Sequence, residues 1–235
     1  MDAIKALGAS LAIGVATALV VVAVAILPFL SPGWVAFEQD RAQAAAWTGF
    51  APTDLHAVTN AILSDLVLGP PDFGVTLDGA PVLNEREREH MRDVRNVFAA
   101  FYLAALVGAG VIAVAFALSR QPRARARLWR RLGRSGQVIA VATIALGIVG
   151  VFFFDTAFEV FHELFFPPGS FLFDPRTDHL VQLFPETFWV ETTIAVGALI
   201  VALGLGLAWL GGRRAATIEA RQAMRVQVAP GPVPS

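Results

Sequence analysis

The sequence has no cysteine. That excludes a thiol nucleophile, a disulfide framework, a cysteine zinc site and a lipidated N-terminal cysteine on this chain, so any covalent chemistry must use oxygen or nitrogen groups. A net charge of either sign is also lacking: the formal value over 235 residues is -1, so nothing points to nucleic acid or another polyanionic partner. There is no phosphate-cradling glycine loop, no G-x-S-x-G elbow and no paired sugar-cleaving carboxylate motif. Ser64, Ser119, Ser135 and Ser170 stand in no recognisable nucleophile context. What the chain does have is apolar surface: 56% hydrophobic residues and a mean hydropathy of +0.62, more than a soluble domain needs to fill its core.

That surface is concentrated in four stretches, 4–30, 97–118, 138–154 and 188–210, each long enough for a helical span, which needs about 20 residues with a lower limit near 17. The first exceeds a signal-peptide core and precedes no small-residue cleavage site, so it is expected to stay as a span. Past the third, helical apolar character continues through Phe158, Val160, Phe161, Leu164, Phe165 and Phe166, which predicts a third helix that protrudes from the bilayer. Arginine placement sets the orientation. Arg120, Arg123, Arg125, Arg127, Arg130, Arg131 and Arg134 crowd the second loop, and Arg213, Arg214, Arg221 and Arg225 follow the last span. With Lys5 they put both termini and loop two in the cytoplasm, and loops 31–96 and 155–187 outside. The arginine-rich loop reads as a topology determinant rather than as a lipid-signalling site.

The fold class is therefore an all-α membrane protein with four transmembrane helices and a small extracytoplasmic α/β cap formed by loops one and three. Residues 1–225 make the membrane domain and 226–235, with Pro230, Pro232 and Pro234, a disordered tail. In loop one, Pro52, Thr53 and Asp54 open a helix whose Leu55, Val58, Ile62 and Leu66 recur at helical spacing, a candidate for lying on the membrane surface. Asp78-Gly79 between 75–77 and 80–82 is a hairpin turn signal, with Pro81 confining its strand to an edge. Asn84 and Glu87 form a capping box for a helix that runs directly into the second span.

Two constellations could carry chemistry. In 84–96 (NEREREHMRDVRN), His90 lies on the stripe Val94, Val97, Phe98 and Phe101, with Glu87 and Asp93 each one turn away and able to orient and tune it; the alternative is a satisfied histidine at a helix end. In 155–163 (DTAFEVFHE), Asp155, Glu159 and His162 form a narrow polar stripe on a helix otherwise lined with phenylalanine. That stripe is costly near a bilayer unless it meets a partner or a wet cavity; the alternative is an interfacial helix with its polar edge in water. The segment 171–189 adds Asp174, Asp178 and His179, and Pro185, Phe188 and Trp189 lead into span four; these read mainly as structural. Two histidines on one helix at ligand spacing, the strong metal signal, do not occur, and no metal or other cofactor is expected.

The motifs LNEREREHMRDV, FDTAFEVFHELFF and FDPRTDHLVQLFPETFW together resemble the lipoprotein intramolecular transacylase family of bacterial integral membrane proteins, over roughly 11–210. Pro167-Pro168-Gly169-Ser170 stands where family members often have a polar pair. The resemblance implies an acyltransferase of the bacterial cytoplasmic membrane, facing outside. It would move the sn-2 acyl chain of a diacylglyceryl lipoprotein to the α-amino group of its N-terminal cysteine, with membrane lipid as surroundings. It places the essential histidines on His90 and His162. His90 is assigned as base toward the amine and His162 as acid or oxyanion partner, with the reverse also open. Glu85, Glu87, Asp93, Asp155, Glu159, Glu163, Asp174, Arg176, His179 and Glu186 are candidates for orienting or supporting them. The rival readings are a non-enzymatic membrane sensor or assembly module and a metal-dependent membrane hydrolase. Because the chain has no native cysteine, the topology can be mapped directly. Ala51→Cys, Gly79→Cys and Ser170→Cys should each react with an impermeant thiol reagent on intact cells, and Ser135→Cys should not; labelling of the last from outside would reverse the orientation.

Overall fold

The computed structural model describes residues 2–228 and is mostly helical. In chain order it contains α1 (Asp2–Ile26), a short 3-10 turn (Leu27–Leu30), α2 (Pro32–Arg41), α3 (Ala44–Thr48), α4 (Pro52–Val67), β1 (Thr76–Leu77) and β2 (Ala80–Pro81). These are followed by α5 (Glu85–Leu118), α6 (Pro122–Phe152), α7 (Phe154–Phe165), α8 (His179–Leu183) and α9 (Glu186–Val228). Four helices, α1, α5, α6 and α9, are long and apolar enough to cross a membrane. α9 continues to Val228, so the tail expected from 226 falls, from 229 onward, outside the described residues.

The third apolar stretch differs from its expectation at both ends. α6 begins at Pro122 and takes six of the seven arginines of loop two, Arg123 to Arg134, into its own first turns, leaving Arg120 outside it. At the other end the helix does not run on unbroken, because Phe153 (φ -136, ψ 39) leaves helical geometry and α7 restarts at Phe154. The break falls within a run of phenylalanines, with neither proline nor glycine from 151 to 157 to announce it.

The chain divides into two compact units. One comprises 1–24, 103–144 and 199–235. Its core is Ile13, Leu128 and Leu132, with Phe116, Trp129 and Leu207 against them. Lipid gives helices no hydrophobic reason to associate, so close backbone packing must hold them together. α6 and α9 achieve it by omitting side chains: a Cβ at Gly136 would run into Gly204 O and lie 3.1 Å from Ala208 N, and one at Gly211 would lie 2.6 Å from Trp129 O.

The other unit comprises 25–102 and 145–198. Here Leu55, Val58 and Ile62 of α4 are buried with Ala44, Phe73, Val82, Leu83, Met91, Leu180 and Leu183. The apolar face of α4 is thus covered by protein, and the surface-lying role considered for it is replaced by a core role. Arg95 donates to Asp65 O and Gly69 O and so closes the end of that helix. The hairpin forms in the expected register, Thr76 opposite Pro81 and Leu77 opposite Ala80, with Asp78 (φ 52) and Gly79 (φ 80) supplying the left-handed turn. α2 starts at the Ser31 cap and joins α9 through Trp34 Nε1 donating to Thr192 Oγ1 at 3.2 Å and a two-bond Arg41–Glu191 pair. Gln39, fully buried, donates to Thr59 Oγ1 and Leu183 O, both at 2.9 Å.

The glycine contact gives a stability test. Gly136→Val should force α6 and α9 apart and cost about 1–3 kcal/mol, the usual range for overpacking. Gly110→Ala, where an added Cβ meets nothing within 4 Å, should be neutral or slightly stabilising. Thermal unfolding of the two variants in the same detergent measures the difference.

Candidate active site

The first turn of α5 is built by a reciprocal cap. Glu87 N–H donates to Asn84 Oδ1 at 3.0 Å, and Asn84 N–H donates to Glu87 Oε2 at 2.7 Å. The other oxygen of Glu87 is also in use, accepting Leu180 N–H at 2.6 Å. Beside it Asp178 accepts Asn84 Nδ2 at 3.0 Å, Arg86 Nη2 at 2.7 Å and Asp174 N–H at 2.8 Å. Two buried carboxylates, 1% and 5% exposed, therefore fasten the segment 174–180 to the start of α5. Burial pushes the Glu87 carboxyl up, against the lowering effect of its two backbone donors.

One turn further on is His90. Residues 85–96 hold eight charged side chains, so these turns of α5 stand outside the apolar span that begins at 97. The expected orientation of His90 by Glu87 or Asp93 is not what forms. Glu87 is committed to backbone donors, and His90 Nδ1 is buried with no hydrogen-bond partner. What surrounds His90 is aromatic: Phe166 at 4.8 Å, Phe173 at 5.4 Å and His162 at 6.0 Å between ring centroids.

The two histidines are stacked, their planes 19° apart. His162 comes from α7, where its Nδ1 lies 2.7 Å from Phe158 O one turn back. A carbonyl only accepts, so the proton sits on Nδ1 and the lone pair of the neutral ring is on Nε2. Asp155 and Glu159, expected to orient this ring, are exposed, as is Glu163. A side chain on a helix leans toward its own preceding turn, and the backbone acceptor there takes the role assigned to the carboxylates. Phe158, Phe171 and Phe166 lie 4.1, 5.1 and 5.4 Å from the His162 ring, so Phe166 touches both histidines. Burial lowers both imidazole pKa values. The positive charge His162 would carry lowers His90 further, and the Phe158 carbonyl partly restores His162.

The remaining candidates lie apart from this pair. His179 stacks on Phe50 at 5.4 Å, His56 meets Asp40 at 3.2 Å and Glu85 pairs with Arg88 and Arg92. Asp174 is held well below the usual carboxylate range by Arg176, and Glu186 is exposed in the first turn of α9. Sequence reasoning underrated Asp178, as well as Phe171 and Phe173 of the F-L-F-D-P run. Arg86, which ties Asp178 and lies 5.0 Å over Phe173, it placed only in the capping segment.

Four membrane-length helices are the mark of an integral membrane protein, and comparison with known proteins supplies its kind. The chain belongs to the lipoprotein intramolecular transacylase Lit family, whose model matches residues 10–189; the family is one of membrane acyltransferases. A solved structure of the membrane integral transacylase Lit from Bacillus cereus superposes with a TM-score of 0.72 at 18% identity, covering 95% of this chain and 100% of that one. A second structure of the Bacillus protein, with one histidine replaced by arginine, gives 0.66 at 19%, covering 92% and 93%. At these identities the likeness is one of fold. An uncharacterised protein of Aquifex aeolicus (strain VF5) is 29% identical over 136 residues, which is 57% of this chain and 58% of that relative's length.

The direction of the histidine shifts fixes a pH dependence of stability. A base whose folded pKa lies below its unfolded value near 6.5 binds fewer protons when folded, so its contribution is complete above pH 6.5 and lost as pH falls toward the folded pKa. The melting temperature should therefore drop on acidification below pH 6.5, and His90→Gln should flatten that drop. Identical slopes in the two proteins would mean that His90 is not desolvated.

Proposed function

We propose that the protein transfers the sn-2 acyl chain of a diacylglyceryl lipoprotein to the α-amino group of the same molecule's N-terminal cysteine. The product would be an N-acylated, S-monoacylated lyso-form lipoprotein. The observation that carries the reading is the close stacking of His90 and His162, with one lone pair assigned by a backbone carbonyl. In this mechanism the neutral amine attacks the ester carbonyl and His162 Nε2 takes the proton the nitrogen sheds. A His90 N–H donates to the oxyanion of the tetrahedral intermediate. The carbonyl–glycerol oxygen bond then breaks and the departing oxygen takes its proton back from His162. An ester and an amine become an amide and an alcohol, with no water consumed. The tautomer at His162 supports this ring as the base, the reverse of the first assignment drawn from the sequence.

Nucleophile and ester belong to one substrate, so positioning stands in for a covalent enzyme intermediate, in keeping with a chain that has no thiol. The aromatic walls suit both a lipid chain and neutral imidazoles. The site would face the outer side of a bacterial cytoplasmic membrane, as arginine placement indicates.

His90→Ala and His162→Ala should insert normally yet lower lyso-form product about 10²-fold or more, the usual contribution of general acid–base groups. His56→Ala should keep most activity. With both rings neutral at pH 7, the rise in rate with pH should follow the substrate amine, whose ordinary pKa is about 8. Label placed in the sn-2 chain should arrive on the amino group of the same lipoprotein molecule by mass spectrometry. Label released as fatty acid, or drawn from added phospholipid, would defeat the intramolecular reading even with both histidines essential.

A further inference from the structure

The near-zero net charge conceals a division. The unit made of 1–24, 103–144 and 199–235 carries eleven arginines and Lys5 against Asp2 and Glu219. Within it Arg130 is matched by Glu219 at 2.7 Å, and Arg125 lies 5.8 Å over Phe116 and donates to its carbonyl at 3.5 Å. Arg127 and Arg131, one turn apart on α6, have no carboxylate partner among the described residues. Both instead border a cleft of about 340 Å³ between α1, α5 and α6, walled by Ala12, Ile13, Val111 and Ala115, with Ser119 among its lining residues. Ser119 directly follows the last residue of α5, where the apolar span ends.

We propose that this cleft binds one anionic phospholipid, its phosphate held by Arg127 and Arg131 and one acyl chain lying along the small-residue wall. Two guanidinium groups a turn apart match the oxygens of a phosphate diester. They lack a protein counter-ion in a unit that has almost none to offer. The apolar wall selects a lipid over a free anion, since a hydrated ion leaves hydrocarbon-lined space unfilled. A basic mouth over an apolar crevice between membrane helices is the arrangement that recognises acidic headgroups. The other arginines of the loop can keep their topology role without this one.

The test is thermal unfolding of the purified full chain in a neutral detergent, with phosphatidylglycerol, phosphatidylcholine of the same acyl chains, or inorganic phosphate added. Phosphatidylglycerol should raise the melting temperature by about 5 °C near saturation, and phosphatidylcholine and phosphate should not. The Arg127→Gln/Arg131→Gln double variant should lose this rise. Arg221→Gln/Arg225→Gln, which removes the same charge elsewhere in the unit, should keep it. Ala12→Leu, which fills the cleft and leaves the charges, should also lose it. Each protein is compared with itself with and without lipid, so a variant that is merely less stable still reports. An equal rise with phosphatidylcholine, a rise with phosphate alone, or equal responses from the two double variants would overturn the proposal.

Discussion

The site depends on one carboxylate. Glu87 accepts two backbone N–H groups, one from its own helix cap and one from Leu180, 93 residues along the chain. Each donor, left buried without an acceptor, would cost about 1–3 kcal/mol, so this one side chain joins two segments that have no sheet or disulfide to join them. Asp178 doubles the joint from the other side. His90 lies three residues beyond Glu87 on the same helix, and Phe173, which walls His90, lies beside the Asp174 backbone that Asp178 holds. The position of the ring is thus set by polar contacts, and its surroundings are apolar.

That division explains the chemistry available. A histidine oriented by a carboxylate is held toward its charged form; these two are desolvated instead and held toward neutrality. For a reaction in which an attacking amine must give up a proton, as proposed above, a neutral imidazole at ordinary pH is the useful state. The stacked arrangement also ensures that protonating one ring discourages protonation of the other.

How far the sequence disclosed this varies with the range of the interaction. The capping box and the Asp78-Gly79 turn involve neighbours within four residues, and both were legible. The four spans were legible from length and hydropathy alone. The pairing of His90 with His162 could be anticipated because both sit on stripes leading out of adjacent spans. What orients them could not, because the acceptor for His162 is a backbone carbonyl, a group every residue has. The Glu87–Leu180 bond was hidden for the same reason. The break at Phe153 carries no residue signal, and the burial of α4 depends on partners, Leu180 and Leu183, far away in sequence.

The charge carried by the arginine-rich unit has a consequence for the life of the protein after insertion. An elementary charge moved through a membrane potential of 100 mV changes energy by about 2.3 kcal/mol. With twelve basic groups against two acidic, carrying that unit across an energised bilayer against the field would cost about 20 kcal/mol from the potential alone, before any desolvation. The potential therefore opposes passage of that unit to the positive side of the membrane and favours its return, so the cell's own voltage adds to the charge asymmetry in holding the unit on the negative side.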